Sequence, residues 1–159
     1  MCPDVLWDEG AKKYRMWYSG GEQHEPDAIG YATSEDGVHW IKQQSPIFEA
    51  DKMHPWERCK VTACQVVYWD GWYNIFYVGF QNINHAAIGI ARSRDGITDW
   101  QRCSRNPIVS PTEGAWDADA CYKLYALFDG RRWLLWYNGR RADVEQIGLV
   151  VKDAAGIGF

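Results

Sequence analysis

Residues 61–109 read VTACQVVYWDGWYNIFYVGFQNINHAAIGIARSRDGITDWQRCSRNPIV, and the order of signals in this stretch decides the fold. An apolar run ends at the turn Asp70-Gly71, and the aromatic segment Trp72–Gly79 follows it. A second apolar segment, Ile88–Ser93, leads to another turn at Asp95-Gly96. Short runs of aromatic and β-branched residues bounded by Asp-Gly turns are typical of β-strands joined by tight hairpins. The stretch is therefore predicted to form a small antiparallel sheet.

The same order of signals occurs three times along the chain. The glycines that close the aromatic segments are Gly20, Gly79 and Gly139, and the Ile-Gly pairs begin at Ile29, Ile88 and Ile147. The repeat period is therefore 59 or 60 residues. A period in this range, built from short aromatic strands and Asp-Gly turns, predicts β-propeller blades or a related all-β array.

Each copy is predicted to contribute four antiparallel strands. They are an inner strand before the first turn, the aromatic strand, the Ile-Gly strand, and a short outer strand that starts at a Trp. The copies cover approximately residues 1–50, 56–110 and 115–159 of one partial propeller domain that spans 1–159, and the last copy lacks its outer strand. No helix of useful length is predicted.

The composition excludes several classes of function. The 159 residues carry a formal net charge of −4 without a basic stripe, which argues against a nucleic-acid partner. No apolar run approaches the length of a spanning helix, and the N-terminal residues lack a basic region followed by an apolar core, so no membrane role is expected. The five cysteines are an odd number without a Cys-x-x-Cys pair. We interpret the protein as cytoplasmic, and no metal or cofactor is implied.

The junctions between copies hold most of the candidate functional residues. Residues 48–60 and 110–119 each place a Trp and an acidic residue, Trp56-Glu57 and Trp116-Asp117, shortly before an inner strand. In a propeller these junctions lie beside the central channel, where ligands commonly bind. The charged residues predicted at the channel mouth are Asp4, Glu57, Lys60, Asp117, Asp119 and Lys123. The alternative for Asp117 or Asp119 is that its carboxylate caps the incoming strand through hydrogen bonds to backbone amides.

Polar hairpin loops add further candidates. The loop Gly21–Asp27 carries Glu22 and His24, and its counterpart in the third copy begins at Arg140. The alternative is that these loops are solvated hairpins without a ligand. The Asp residues that precede Gly are explained by turn chemistry and are excluded from the predicted site; they are Asp36, Asp70, Asp95 and Asp129.

The pattern resembles a known group of proteins. The run MWYSGG at residues 16–21, followed by IGYATSEDGVHW at 29–40 and then Pro46-Ile47, is similar to the blade signature of the five-bladed β-propeller glycosidase superfamily. That group includes arabinanases, xylosidases, levanases, invertases and mannoside phosphorylases. The resemblance covers about three blades, and the third copy looks like uncharacterised bacterial proteins of this group. It is specific for the fold and weak for the activity, because the shared residues are structural.

The resemblance implies a two-carboxylate mechanism with carboxylates from different blades. One acid protonates the leaving oxygen, while a second carboxylate acts as nucleophile or activates water or phosphate. Catalytic roles are implied for Asp4, Glu57 and Asp119, with Glu22 as the alternative to Glu57 for the acid. Substrate-binding roles are implied for Glu22, His24, Trp56, Lys60, Trp116, Asp117, Lys123 and Arg140.

The leading hypothesis is a carbohydrate-active protein that acts on the glycosidic bond of an oligosaccharide or glycoside. The alternative is a non-catalytic sugar-binding or scaffolding propeller, and a protein-interaction propeller is disfavoured because its blades are shorter. Closed propellers have at least four blades, so three copies do not close a ring. We therefore expect either a part of a longer chain or a homo-oligomer, with the dimer as the preferred closed symmetry.

Overall fold

A computed structural model of the protein describes residues 2–21 and 26–158. These residues form strands and no helix, which confirms the all-β prediction. No helix in the described ranges has the length and apolar character needed to cross a membrane. The strands are β1 (Pro3–Asp8), β2 (Lys13–Gly20), β3 (Ala28–Ser34), β4 (Ile41–Lys42), β5 (Lys60–Trp69), β6 (Trp72–Asn82), β7 (His85–Ser93), β8 (Gln101–Arg102), β9 (Ala120–Phe128), β10 (Trp133–Arg141) and β11 (Val144–Lys152).

The strands group into three antiparallel meanders. Blade 1 is the four-stranded sheet β1-β2-β3-β4, blade 2 consists of β5-β6-β7-β8, and blade 3 consists of β9-β10-β11. Blades 2 and 3 are joined by a single parallel bridge between Ala86 of β7 and Ala120 of β9. The two-residue outer strands β4 and β8 directly follow Trp40 and Trp100, as the sequence predicts.

A tight hairpin sets the register of β5 against β6, and an aromatic cross-strand pair recurs in blades 1 and 2. Asp70 and Gly71 both have positive φ, at 50° and 76°, which suits the two-residue turn between β5 and β6. Directly behind the turn, the Tyr68 and Tyr73 rings lie 4.8 Å apart across the strands. The same cross-strand position pairs Trp7 with Tyr14 in blade 1, and such pairs stabilise a sheet by roughly 0.2–1 kcal/mol each.

The hydrophobic cores lie between neighbouring blades. The buried side chains between blades 1 and 2 include Trp17, Tyr31, Val66, Ile75 and Tyr77. Those between blades 2 and 3 include Phe76, Ile88, Ile90, Leu135 and Tyr137. Most of the aromatic residues of blades 1 and 2 therefore pack in the cores between blades.

The inner strands β1, β5 and β9 lie side by side and are joined by side chains. Asp4 Oδ2 accepts a hydrogen bond from the Val66 amide at 2.7 Å. One blade further on, Gln65 Oε1 accepts from the Ala126 amide at 2.6 Å, and its Nε2 donates to the Ala126 carbonyl at 2.9 Å. Because each meander is antiparallel, the starts of the inner strands share one end of the array with the β2–β3, β6–β7 and β10–β11 loops. We call this end the mouth.

Candidate functional site

Asp4 is the second residue of β1, and its carboxyl is half-buried. Burial raises the pKa of Asp4 above its ordinary value of 3.8, and the hydrogen bond from the Val66 amide opposes that shift only in part. The same position holds Gln65 in β5 and Tyr125 in β9. Of these three equivalent inner-strand positions, the one in blade 1 is therefore the one that holds a carboxylate, Asp4.

Glu57 is fully buried, at 0% exposure. Its Oε1 accepts a hydrogen bond from Arg102 Nε at 2.6 Å, which ties the junction before β5 to the outer strand β8. Burial, followed by the negative charge of Glu57, raises the pKa of the neighbouring Tyr77 phenol. A sugar has no access to this carboxylate, so its position does not fit the predicted role of a catalytic acid and instead indicates a structural ion pair.

Asp117 occupies the corresponding place in blade 3. It is also buried, and its Oδ2 accepts a hydrogen bond from the Tyr137 hydroxyl at 2.9 Å. Burial and this hydrogen bond raise the pKa of Tyr137. The predicted sugar contact of Asp117 therefore does not fit its position either.

Trp56 and Trp116 lie on the glycines that close the aromatic segments of their own blades. A Cβ placed on Gly79 would lie 2.4 Å from the Trp56 ring, and one placed on Gly139 would lie 2.3 Å from the Trp116 ring. The ring of Trp116 also stacks on Tyr137 at 5.7 Å. These contacts explain why the repeat keeps glycine at these positions, and they engage the two indole rings for which a substrate-binding role was predicted.

Asp119 and Arg140 hold the backbone of the mouth. Asp119 Oδ2 accepts a hydrogen bond from the Ala142 amide at 2.6 Å, and the Asp119 amide donates to the Arg140 carbonyl at 2.9 Å. Arg140 Nη2 donates to the Asn84 carbonyl at 2.8 Å and so links the loops of blades 2 and 3. The Asp119 carboxylate thus caps a backbone amide, but this amide lies in the β10–β11 turn and not in the incoming strand β9 of the capping alternative.

A polar cluster that sequence reasoning missed surrounds Glu145 at the mouth of blade 3. Asn138 Nδ2 donates to Glu145 Oε2 at 2.9 Å, Lys123 Nζ lies 3.3 Å from the same oxygen, and the Tyr122 hydroxyl donates to Oε1. The hydrogen bond from Tyr122 is the main cause that lowers the pKa of Glu145. Of this cluster only Lys123 was predicted, and the signal that could have revealed Glu145 is its place directly before the third Ile-Gly strand.

Lys123 reaches this cluster from a β-bulge. The register of β9 against β10 shifts at this point, and Lys123 has a φ of 50°. Ala63 has a φ of 44° at the matching bulge in β5. A bulge redirects side chains at the rim of a sheet, which places Lys123 beside Glu145.

The remaining predicted site residues are Lys60, Glu22 and His24. Lys60 opens β5, and its Nζ lies 4.7 Å from the centre of the Phe80 ring. Glu22 and His24 lie outside the described residues. Within the described ranges, no three His, Cys, Asp or Glu side chains form a group that would hold a metal ion.

Asp4 and Glu145 are therefore carboxylates in different electrostatic states. Asp4 has a raised pKa and a single oxygen engaged by the backbone, which suits proton transfer. Glu145 is held ionised by three donors, which suits charge stabilisation or the binding of sugar hydroxyls. Sugar-hydrolysing sites use carboxyl groups whose environments push their pKa values apart.

Comparison with solved structures assigns the fold. The chain superposes on Zg3597, a family 117 glycoside hydrolase from Zobellia galactanivorans, with a TM-score of 0.79 and 18% identity over 97% of this chain and 52% of that one. It superposes on a thermostable family 43 glycoside hydrolase with a TM-score of 0.66 and 14% identity over 94% and 46% of the two chains. A GH32 β-fructofuranosidase from Bombyx mori matches with a TM-score of 0.70 and 13% identity over 94% and 33%. The chain thus has the fold of propeller-type glycoside hydrolases.

Sequence comparison adds relatives without a named activity. Two uncharacterised proteins of Mycobacterium tuberculosis are 31% and 30% identical to the chain. Each match covers 95% of this chain, which spans about half, 50%, of the relative's length. No protein-family profile matches the chain.

Proposed function

We propose that the chain forms part of a carbohydrate-active propeller that cleaves a glycosidic bond, with Asp4 as its catalytic carboxyl group. The observation that carries this proposal is the half-buried Asp4 carboxyl with a raised pKa, located on an inner strand at the position where blades 2 and 3 have Gln65 and Tyr125. The likeness to glycoside hydrolase folds supports the substrate class.

The roles follow from the environments of Asp4 and Glu145. Asp4 exchanges a proton with the glycosidic oxygen or with the attacking water or phosphate, because its raised pKa lets it keep a proton at a higher pH than an ordinary Asp. The ionised Glu145, with Lys123 and Tyr122 beside it, orients sugar hydroxyls. Asp119 and Arg140 position the loops around them.

The test is hydrolysis of a panel of nitrophenyl glycosides, with and without phosphate, by the wild-type chain and by Asp4→Asn. Loss of proton transfer should lower kcat by at least about a hundredfold. Asp153→Asn is the control, because Asp153 is an exposed carboxylate after the last strand. An Asp4→Asn variant that keeps more than half of the wild-type kcat would contradict the assignment.

The second candidate is a non-catalytic sugar-binding propeller. It is favoured by the burial of Glu57 and Asp117, which leaves fewer carboxylates at the mouth than the sequence predicts. In that case sugars should raise the melting temperature while no glycoside in the panel is cleaved. Glu145→Gln should then abolish the sugar-induced shift, because it removes the charge that Tyr122, Asn138 and Lys123 surround.

A further inference from the structure

Blades 2 and 3 contain the same small binding motif, which we call the Trp slot. Its floor in blade 2 consists of Gly79, Gly89 and the Tyr77 ring, and it is filled by Trp56 and Glu57. A Cβ placed on Gly79 would meet the Trp56 ring at 2.4 Å and the Glu57 Cβ at 2.6 Å, and one on Gly89 would meet the Trp56 ring at 2.5 Å. The floor therefore depends on glycine because an indole ring and an acidic residue rest directly on the backbone.

Blade 3 repeats this arrangement with a different acidic residue. Gly139 and Gly148 form the floor, and Trp116 and Asp117 fill it. A Cβ on Gly139 would lie 2.3 Å from the Trp116 ring and 2.5 Å from the Asp117 Cβ. The slot thus accepts Trp-Glu in one blade and Trp-Asp in the other.

Blade 1 has the same floor with a different occupancy. Tyr18 pairs with Gly30 in the register in which Tyr77 pairs with Gly89 and Tyr137 with Gly148, and Gly20 corresponds to Gly79. Among the described residues, only the Tyr18 ring comes within 4 Å of a Cβ placed on Gly20, with a closest distance of 3.4 Å. No described Trp or acidic residue therefore rests on Gly20.

A polar groove of about 670 Å³ lies over this floor. Tyr18, Gly20 and Gly30 line it, together with Lys42 and Glu49. Its volume is in the range of pockets that enclose a ligand side chain or a small molecule. The groove occupies the place that Trp56 and Glu57 occupy in blade 2.

The groove also has a cation at the position from which Arg102 binds Glu57 in blade 2. Lys42 pairs with Ala32 of β3, as Arg102 pairs with Ala91 of β7, so the two cations hold the same position in their blades. Arg102 Nε binds Glu57 at 2.6 Å, whereas Lys42 Nζ lies 5.9 Å from the centre of the Tyr18 ring. Blade 1 thus presents the floor, the ring and the cation of the motif.

We infer that the groove on blade 1 is a binding site for a peptide segment in which Trp is followed by Glu or Asp. The indole packs on Gly20 and Gly30, and the carboxylate binds Lys42 and the Tyr18 hydroxyl. This inference is independent of the proposed glycosidic activity, because it rests on the repetition of one packing motif within the chain.

The test uses a fluorescein-labelled peptide with the sequence of residues 52–59, carrying Cys59→Ser to prevent disulfide formation. Fluorescence anisotropy with the intact chain should show saturable binding. The peptide with Trp56→Ala should bind at least about tenfold more weakly, because a buried Trp is a typical dominant contact in an interface. The peptide with Glu57→Gln should bind more weakly, because it lacks the carboxylate that binds Lys42.

Two variants of the chain locate the binding site. Gly20→Ala should weaken binding at least about tenfold, since its Cβ fills the place of the indole, and its melting temperature should match that of the wild type because the new Cβ meets the Tyr18 ring only at 3.4 Å. Lys42→Glu should abolish binding, whereas Lys42→Arg should keep it, because blade 2 uses Arg102 at this position.

The peptide also distinguishes the groove from the filled slots. The slot of blade 2 is already occupied by the chain's own Trp56, whose effective concentration exceeds that of a peptide in solution. Equal binding of the wild-type and Trp56→Ala peptides, or equal binding to the wild-type, Gly20→Ala and Lys42→Glu chains, would overturn the inference. If Gly20→Ala lowers the melting temperature, the pair Lys42→Glu and Lys42→Arg decides the outcome alone.

Discussion

Acidic residues in this chain occupy two kinds of environment that differ in burial. Glu57 and Asp117 are enclosed, and one carboxylate oxygen of each is bound, by Arg102 and by the Tyr137 hydroxyl respectively. Asp4 is half-buried on an inner strand, and burial raises its pKa. Burial disfavours the ionised form of a carboxyl group, so such a group lowers the stability of the fold at neutral pH. Carboxyl groups of this kind are typical of functional sites.

Asp4→Asn should be at least as stable as the wild type at pH 7 while losing activity. The folded-state pKa of Asp4 is raised above 3.8, so its contribution to stability is fully present below pH 3.8 and is lost as the pH rises through the raised pKa. The neutral amide keeps an oxygen for the Val66 amide without the ionisation penalty. Thermal unfolding from pH 3.5 to 7 should show that the melting temperature of the variant rises relative to that of the wild type as the pH rises. An advantage in melting temperature of the variant over the wild type that grows toward low pH would contradict the prediction.

Glu57→Gln should lower the free energy of unfolding by about 3 kcal/mol, because it leaves the Arg102 guanidinium, at 20% exposure, beside a neutral group in a buried site. Chemical denaturation measures the change. The matched control is Glu9→Gln, which breaks an exposed ion pair with Lys12 and should cost less than about 1 kcal/mol. Equal losses in the two variants would show that burial of the Glu57 pair contributes nothing.

At the scale of the strands, the glycines of the repeat are the contact points for the junctions. The aromatic strands β6 and β10 contain Gly79 and Gly139, and the following strands carry Gly89 and Gly148, where the Trp rings lie on the backbone. Each junction is thereby fastened to the blade that it precedes. Glycine recurs at these positions of blades 2 and 3 because the same packing recurs there.

Gly79→Ala should destabilise the chain by roughly 1–3 kcal/mol, since its Cβ would lie 2.4 Å from the Trp56 ring and the junction has to move. Gly20→Ala is the matched control in the same position of blade 1, where the nearest atom is 3.4 Å away, and it should change the melting temperature little. Urea unfolding of both variants compares them directly. A loss for Gly20→Ala as large as that for Gly79→Ala would show that glycine is needed there for its backbone and not for the Trp contact.

At the scale of the whole molecule, the two outermost faces are apolar. Ile147 on β11 is 76% exposed, whereas the equivalent Ile29 and Ile88 are 0% exposed because the next blade covers them. Leu149 and Leu127 are also exposed on blade 3, and Val5 is exposed on blade 1. Apolar patches of this kind are rare on monomers and mark surfaces that another element covers.

We predict that the isolated chain associates with itself through these faces, blade 3 of one copy against blade 1 of the next. Light scattering at micromolar concentration should give a mass above the 18.3 kDa of one chain. The double variant Ile147→Asp and Leu149→Asp should shift the mass toward one chain, because it charges the face of β11.

Ile41→Asp is the control for this prediction. Ile41 is equally exposed, but it lies on the outer strand β4, away from both terminal faces. It should leave the mass unchanged. A mass of one chain for the wild type would refute the association, and an equal effect of Ile41→Asp would refute its assignment to the terminal faces.

The sequence by itself determined the repeat, the strand order within each blade and the all-β class. These features depend on residues close together in the chain: an Asp-Gly turn, such as Asp70-Gly71, forces the hairpin, and the aromatic and β-branched runs around it form the strands. The resemblance to propeller glycosidases rested on the same local signals, and the structural comparisons confirm the fold.

Only the tertiary structure decided the environment of each polar residue. Glu57 and Asp4 are both predicted as catalytic carboxylates, but the first is fully buried with its partner Arg102 45 residues away, while the second is half-buried and touches a strand 62 residues away. The Glu145 cluster likewise forms because the bulge at Lys123 directs its side chain across β10 to Glu145 on β11. Side-chain environment depends on the packing of strands that are distant in sequence, and local patterns do not encode it.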